Sequence, residues 1–364
     1  MVMRRMHFVL SISLVISLIW TGAGQFLSVQ AQQGEVVTEL AGQIGGIVET
    51  VAIQGTYAYI GAGPRLVILD ISKLSDPVVL GKSAPFSNIV KDVVVAGDYA
   101  YVATANSGLH IMNILEPTNP IEIGSYDTPG KARAVALGQP GYVYIADYAQ
   151  GLRIVDISDP AHPTEVGYYN TPGYAYDVAV QGNYAYVADG NMGLRIINIS
   201  VPSTPVESGS YDTPGVAQGV AVGKSYAYIA DGLTGGLRVI NIVNAATPYE
   251  VGSLDTPGAA SGIALEGNYA YPADGSYGLR IIDLSDRAQP VKAASLDTPG
   301  STDGVAVAGG YVYVADGEAG LRIINASMPA VPLEVGFCDT PGMALNVALS
   351  GTYAYVADMD SGLR

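Results

Sequence analysis

The chain is poor in the residues that carry most protein chemistry. Its 364 residues include one Cys, three His and one Trp. A single Cys, Cys338, cannot form an intramolecular disulfide. No Cys/His spacing suits zinc. Beyond the N-terminal segment only His110 and His162 remain, so no Ser-His-Asp set can be assembled. Charge is scarce as well, at 14% of residues, and 17 Lys+Arg against 33 Asp+Glu give a net charge of -16. So few cations exclude a nucleic-acid binder, which must neutralise phosphate. They argue equally against docking on anionic membranes. The sign of the field favours cations or basic partners. No stretch spaces its apolar residues with a 3.6-residue period and caps, so almost no helix is expected. No Gly-rich loop leads from a strand into a helix to cradle phosphate. At 49% hydrophobic residues the chain is also too apolar for disorder.

What the sequence does have begins with a targeting segment. Arg4 and Arg5 are followed by the apolar run "HFVLSISLVISLIW" (7–20) and by "SVQAQQ", with small side chains before Ala31. This is the layout of a secretory signal peptide spanning 1–31, with cleavage after Ala31. The run is short for a membrane span, which needs about 20 apolar residues. Losing Arg4 and Arg5 moves the net charge from -16 to -18.

From there one phrase recurs. "YAYVADGNMGLRIINI" starts at Tyr184, "YVYIADYAQGLRIVDI" at Tyr142 and "YVYVADGEAGLRIINA" at Tyr311. The first Tyr of each "YxY" falls at 57, 99, 142, 184, 226, 269, 311 and 353, in steps of 42 or 43. Such a period, built from short strands, marks propeller blades. In one unit "YAYDVAV" (174–180), "YAYVAD" (184–189), "LRIINIS" (194–200) and "VESGSYD" (206–212) read as four strands separated by Gly, Pro and Asn turns. The expectation is an all-β, eight-bladed propeller of four-stranded blades over 32–364. Its last blade is cut short at Arg364 and closed by an N-terminal strand, "EVVTELAG" (35–42). Stopping within a strand suggests that the chain continues beyond Arg364.

The phrases "LVILDIS" (66–72), "LRIVDIS" (152–158) and "LRIIDLS" (279–285) come with "YAYVADG", "SDPxxP" and "YDTPG" in order. They resemble the LVIVD repeat family of bacterial and archaeal surface proteins over about 35–364. The resemblance implies a β-propeller in an extracellular or cell-surface setting and supplies no catalytic residues. The first repeat, "IGAGPRLVILD", departs most.

The repeats can be compared with one another. Asp ends the second strand and Arg opens the third in six repeats: Asp147 with Arg153, Asp189 with Arg195, Asp231 with Arg238, Asp274 with Arg280, Asp316 with Arg322, and Asp358 with Arg364. The first two repeats lack both, with Ala62 and Val67 and then Thr104 and His110. Residues that come and go together across a hairpin read as a structural ion pair, expected to be exposed and worth about 0–1 kcal/mol. The rival is calcium, which needs several oxygens at close spacing. Asp358 and Asp360 in "DMDSG" are the best candidates for it, and otherwise no cofactor is expected. "DTPG" is turn chemistry. The "YxY" pairs, which hold most of the 25 Tyr, are expected to pack between blades.

Framework positions repeat, so a specific site should break the repeat. At the start of the inner strand one column reads Glu49, Lys91, Arg133, Tyr176, Gln218, Ser261, Asp303 and Leu345. The next includes Asp92 and Asp177. These starts ring the channel mouth, so Glu49, Lys91, Asp92, Arg133, Tyr176, Asp177 and Asp303 are the candidate ligand-binding residues. The reading is a secreted or cell-surface propeller, monomeric, that binds a protein or carbohydrate ligand and is not an enzyme. The alternatives are a passive spacer displaying another domain, or a carbohydrate-active enzyme using two carboxylates at the channel mouth.

Overall fold

Short alternating segments punctuated by Gly and Pro can bury one face only by pairing into sheets, and each repeat does so. In the repeat around Tyr184 the strands Asp177–Gln181, Tyr184–Ala188, Leu194–Asn198 and Val206–Tyr211 pair antiparallel in chain order. Tyr184 faces Asn198 and Ala188 faces Leu194 across the middle hairpin. The outer strand takes a register shift between Ile196 and Ile197. The same shift recurs in every four-stranded sheet. A bulge there increases twist and turns the outer edge away from pairing with other chains. The computed structural model describes residues 48–70, 72, 78–338, 342–351, 353–359 and 363, with backbone alone at 48, 49 and 338.

The core lies between neighbouring sheets. Leu194, Ile196 and Tyr186 of one blade pack against Ala217, Val220, Ile229 and Ile240 of the next. Tyr144, Leu152 and Ile154 do the same with Val178, Val187 and Ile197. Leu194, Ile196 and Ile197 are fully buried, each contributing about 1.5–3 kcal/mol relative to exposure. The second Tyr of "YxY" enters this core, as at Tyr59, Tyr144, Tyr186 and Tyr271, while the first is half-buried at Tyr57, Tyr142, Tyr184 and Tyr269. The first rings pack partly buried against the same inter-blade clusters, as expected of the pairs, and at Tyr311 and Tyr313 both rings are partly buried.

The blade count also differs from expectation. Seven sheets are four-stranded, and the last repeat gives a two-stranded sheet, Asn346–Ser350 with Tyr353–Ala357. Among the described residues the protein is therefore a propeller of seven four-stranded blades, not eight. A blade needs four strands to twist into a full wedge, and among the described residues the last repeat pairs only two. The two-stranded sheet still packs on the first blade: Tyr355, Ala357 and Leu363 share one cluster with Val51, Ile60, Val67 and Leu69. The N-terminal segment 1–31, the strand expected at 35–42 and Asp360 lie outside the described residues. Among the described residues one short helix, Gly232–Gly235, fills a hairpin loop that is one residue longer than its equivalents.

Candidate functional site at the channel rim

The inner strands start later than the sequence pattern suggests, at Asp177 rather than Tyr174. The reason is that the segment before them is already engaged. Ala175 N–H donates to the Tyr148 carbonyl of the preceding blade (2.9 Å), and Tyr176 N–H to the Ala188 carbonyl of its own (2.9 Å). Equivalent bridges tie Ala132 to Ala105, Ala217 to Gly190, Ala260 to Gly232, Thr302 to Gly275 and Ala344 to Gly317.

The Asp and Arg of the repeats sit just beneath this rim. The Arg Nε lies 3.6 Å from the carboxylate between Arg153 and Asp147, 3.7 Å between Arg195 and Asp189, and 3.5 Å between Arg238 and Asp231. It lies 2.9 Å away between Arg280 and Asp274, and 3.7 Å between Arg322 and Asp316. The expectation of exposed pairs is corrected at all five. Asp147, Asp189, Asp231, Asp274 and Asp316 have no solvent exposure, and Arg153, Arg195, Arg238, Arg280 and Arg322 are buried with them. The Thr-Pro-Gly crossings close over the hairpin mouth and shut water out. The carboxylates have further partners. Asp189 accepts from Thr171 Oγ1 (2.5 Å) and Gly173 N–H (2.8 Å), and Asp147 from Thr128 Oγ1 (2.7 Å) and Gly130 N–H (2.9 Å). Asp231 and Asp316 repeat the pattern with Thr213 and Gly215, and with Thr298 and Gly300. These donors belong to the crossing that enters the blade.

The Arg turns to the crossing that leaves it. Arg195 Nη2 donates to Asp212 (2.6 Å), Arg238 Nη2 to Asp255 (2.5 Å) and Arg153 Nη2 to Asn170 (2.8 Å). Arg322 differs in its described partners: its Nη2 donates to the Ala319 carbonyl (2.9 Å), and its Nη1 lies 3.6 Å from Glu334. The start of the crossing that follows Arg322 lies outside the described residues. In the joints that follow Arg153, Arg195, Arg238 and Arg280 the first residue of "DTPG" or "NTPG" thus serves the blade behind and its Thr and Gly the blade ahead, which makes a polar belt from joint to joint. Burial pushes the Asp147 carboxyl up to about 6, against the Thr128 and Gly130 hydrogen bonds and Arg153; it also raises Asp189, Asp231 and Asp316. Where the outer strand carries Lys292 instead of Glu, Arg280 closes on Asp274 with a direct hydrogen bond. The second blade receives "KSAPFSN" in place of "DTPG". There Thr104 bonds within its own loop (3.2 Å to the Gly108 carbonyl), and His110 packs on Phe86 and faces Glu122 at 3.2 Å.

The candidate column keeps one backbone register and varies its side chains. Lys91, Arg133, Tyr176 and Asp303 each donate a backbone N–H to the last carbonyl of the adjacent strand, at 2.8–3.1 Å. The Glu49 side chain lies outside the described residues. Asp92 and Asp177 serve the architecture instead. Asp92 accepts from Val93 N–H (2.8 Å) and from Val135 N–H of the next blade (3.0 Å), with Thr50 Oγ1 at 3.4 Å. Asp177 does the same with Val178 and Val220 (2.8 and 3.0 Å). Desolvation lifts both carboxyls, Asp92 to about 6. Desolvation, then the nearby Asp316 charge, raises Asp303 as well. Three later blades have Gly219, Gly262 and Gly304 at the position of Asp92 and Asp177. There the neighbouring backbone closes in, so that a Cβ would meet a carbonyl at 2.6–2.7 Å.

Arg133 and Tyr176 are brought together, with the guanidinium 5.3 Å from the ring centre. Around them are groups that the column comparison missed. Tyr148 stacks on Tyr174 at 4.5 Å and meets Tyr176 edge-on at 5.6 Å. Arg133 and Lys131 lie 5.7 and 5.9 Å from the Tyr148 ring centre. Tyr148 has a positive φ of 51°, where the equivalent residues of five other repeats are Gly63, Gly190, Gly232, Gly275 and Gly317. A bulky side chain there costs about 1–2 kcal/mol. The signal was in the sequence: this column also breaks the repeat.

Asp358 accepts from Gly342 N–H (3.2 Å) and is fully buried, like the belt Asp of other blades. Its proposed calcium partner Asp360 is outside the described residues. No group of three His, Cys, Asp or Glu side chains gathers among the described residues. No helix among them is long and apolar enough to cross a membrane.

Four-stranded sheets packed face to face around a channel define a β-propeller. The LVIVD repeat pattern matches residues 45–83, 88–128, 129–171, 172–213, 214–256, 257–298, 299–340 and 341–364, so the chain belongs to the LVIVD repeat family. No curated protein matches the sequence. Similar solved structures include the computationally designed Ika8 protein (TM-score 0.73, 10% identity, 90% of this chain and 98% of that one). Sqt1 of Saccharomyces cerevisiae is another (0.74, 9%, 88% and 95%), as is BamB of Moraxella catarrhalis (0.66, 13%, 88% and 96%). At such identities the likeness is one of fold alone.

Proposed function

We propose that the chain is a secreted or cell-surface binding module. It engages a protein or glycan ligand through its channel rim and performs no catalysis. The observation that carries this reading is the contrast between columns. The belt and the core repeat from blade to blade, while Lys91, Arg133 and Tyr176 occupy one backbone register with unlike side chains. A framework has no need of that variety, and a ligand site does. Against catalysis stands the engagement of Asp92 and Asp177, the best-placed carboxylates, by backbone N–H groups. Secretion rests on the signal-like segment 1–31, and N-terminal sequencing of exported chain should begin at Gln32.

The test is a labelled propeller on glycan and peptide arrays, beside a Lys91→Ala/Arg133→Ala/Tyr176→Ala variant. Binding by the parent that the variant loses supports the reading. An array silent to both, or signals equal in both, sinks it.

A further inference from the structure

We propose that the Tyr148–Tyr174–Tyr176 cluster with Lys131 and Arg133 is a binding site for a carboxylated polysaccharide, one built of hexuronate units. The proposal rests on the rim-binding reading above and names its ligand.

Three observations on this one patch converge. First, the aromatic rings lie at the surface rather than in the core. Tyr174 is 45% exposed, Tyr148 and Tyr176 are half-buried, and Lys131 and Arg133 are exposed beside them. Tyrosines of the repeat framework pack between blades, whereas these three lie on the crossing and hairpin loops at the rim. Second, the platform is held rigid in spite of strain. Tyr148 sits at φ 51° where five other repeats use glycine and the remaining two carry Ala105 and Met359, neither of them aromatic, and its ring is fixed between Tyr174 at 4.5 Å and Tyr176 at 5.6 Å. Backbone strain accepted to present a ring outwards marks a site of use. Third, two cations gather on the rings of a chain whose net charge is -16. Against that overall field, paired Lys and Arg select an anion locally.

The ligand chemistry follows from the pairing. A flat ring face packs on the C–H face of a pyranose, and the guanidinium fork matches a planar carboxylate. A hexuronate carries both on one residue, and a polymer of them brings the next unit within reach of the second cation. An acidic peptide offers the carboxylates without the regular C–H faces, so ring and charge together favour the sugar.

The probe is polygalacturonate, measured by titration calorimetry at two salt concentrations, beside dextran, dextran sulfate and poly-Glu. The variants are Arg133→Gln and Tyr148→Gly. The second restores the residue that five other repeats carry, so the hairpin retains a conformation already used in this chain. The expected result is binding of polygalacturonate that weakens with salt and falls about tenfold in each variant, with dextran not bound. No binding of polygalacturonate overturns the proposal. Binding of dextran sulfate or poly-Glu as tightly as polygalacturonate, unchanged in Tyr148→Gly, also overturns it, since charge alone would then suffice. If the arrays above find another ligand that the triple variant loses, the uronate assignment fails and the binding-module reading stands. If nothing binds on either assay, both fall.

Discussion

Replacing Asp189 with Ala should damage the protein far more than loss of a surface ion pair would. The carboxylate is wholly buried and holds Thr171 Oγ1, Gly173 N–H and the Arg195 guanidinium at once. Its removal leaves a buried cation whose remaining partners, Asp212 and Glu207, are largely and partly exposed. Breaking a buried pair from one side costs about 3–5 kcal/mol. A backbone N–H stranded at the joint adds to that in the range of about 1–3 kcal/mol. Arg195→Met should cost less, about 2–3 kcal/mol, because Asp189 keeps two hydrogen-bond donors. In the double variant the stranded charge disappears, so the losses should fall short of additivity by about 1.5 kcal/mol or more. Guanidinium unfolding followed by Tyr fluorescence reads all four corners of the cycle. Additivity within about 0.5 kcal/mol would refute the reasoning, since the pair would then be two neighbours with no shared energy.

Two further predictions concern the channel wall and the joints. Asp92 is raised to about 6 and Asp177 is raised too, chiefly by desolvation. The folded chain therefore binds protons between about pH 4 and 6 that the unfolded chain does not. The stabilising contribution of each is complete below the unfolded carboxyl range and is lost as pH rises through its folded value, about 6 for Asp92. Melting temperature should rise from about pH 7 to about pH 5, with about 1.4 kcal/mol of the gain from Asp92, and Asp92→Asn should reduce the rise, which the buried Asp147 shares. A melting temperature that falls over this range contradicts the assignment. Gly215→Ala would drive a Cβ into the Asp231 carbonyl, whereas Gly182→Ala meets nothing within 4 Å. The first should destabilise by at least about 3 kcal/mol and the second by about 1 kcal/mol, through its positive φ alone. Equal melting temperatures for the two variants would count against so close an approach at the joint.

The sequence carried the repeat, the strand order and the pairing of Asp with Arg, because each is local and recurs. It could not show that the pair is buried. Burial comes from the Thr-Pro-Gly crossing folding over it, and nothing in the spacing of Asp189 and Arg195, or of Asp316 and Arg322, records that approach. The same gap separates Asp92 and Asp177 from their expected part in ligand binding. Their partners are backbone N–H groups of Val135 and Val220, and backbone donors leave no trace in residue type. The blade count differs for another reason: the last repeat was expected to be completed by a strand at 35–42, which lies outside the described residues, and among those it pairs only two strands. Tyr148 was legible as a break in the column after the belt Asp. A lone Tyr among loop glycines carries little weight, however, until Tyr174, Tyr176 and Arg133 are seen to gather on it.

The belt also bears on how such a gene can grow. Each of the four joints that follow Arg153, Arg195, Arg238 and Arg280 gives its first residue to one blade and its next residues to the following one, so the unit of construction is the joint rather than the sheet. A tandem duplication with breakpoints anywhere in the repeat reproduces both halves of each joint in phase. The new copy meets an Arg behind it and an Asp ahead without any further mutation. Divergence is confined in the same way. A blade can discard its Asp when the crossing before it has ceased to be "DTPG", as "KSAPFSN" and Thr104 illustrate. Copies can then be lost, gained or specialised singly, each change reaching no further than the two joints it touches.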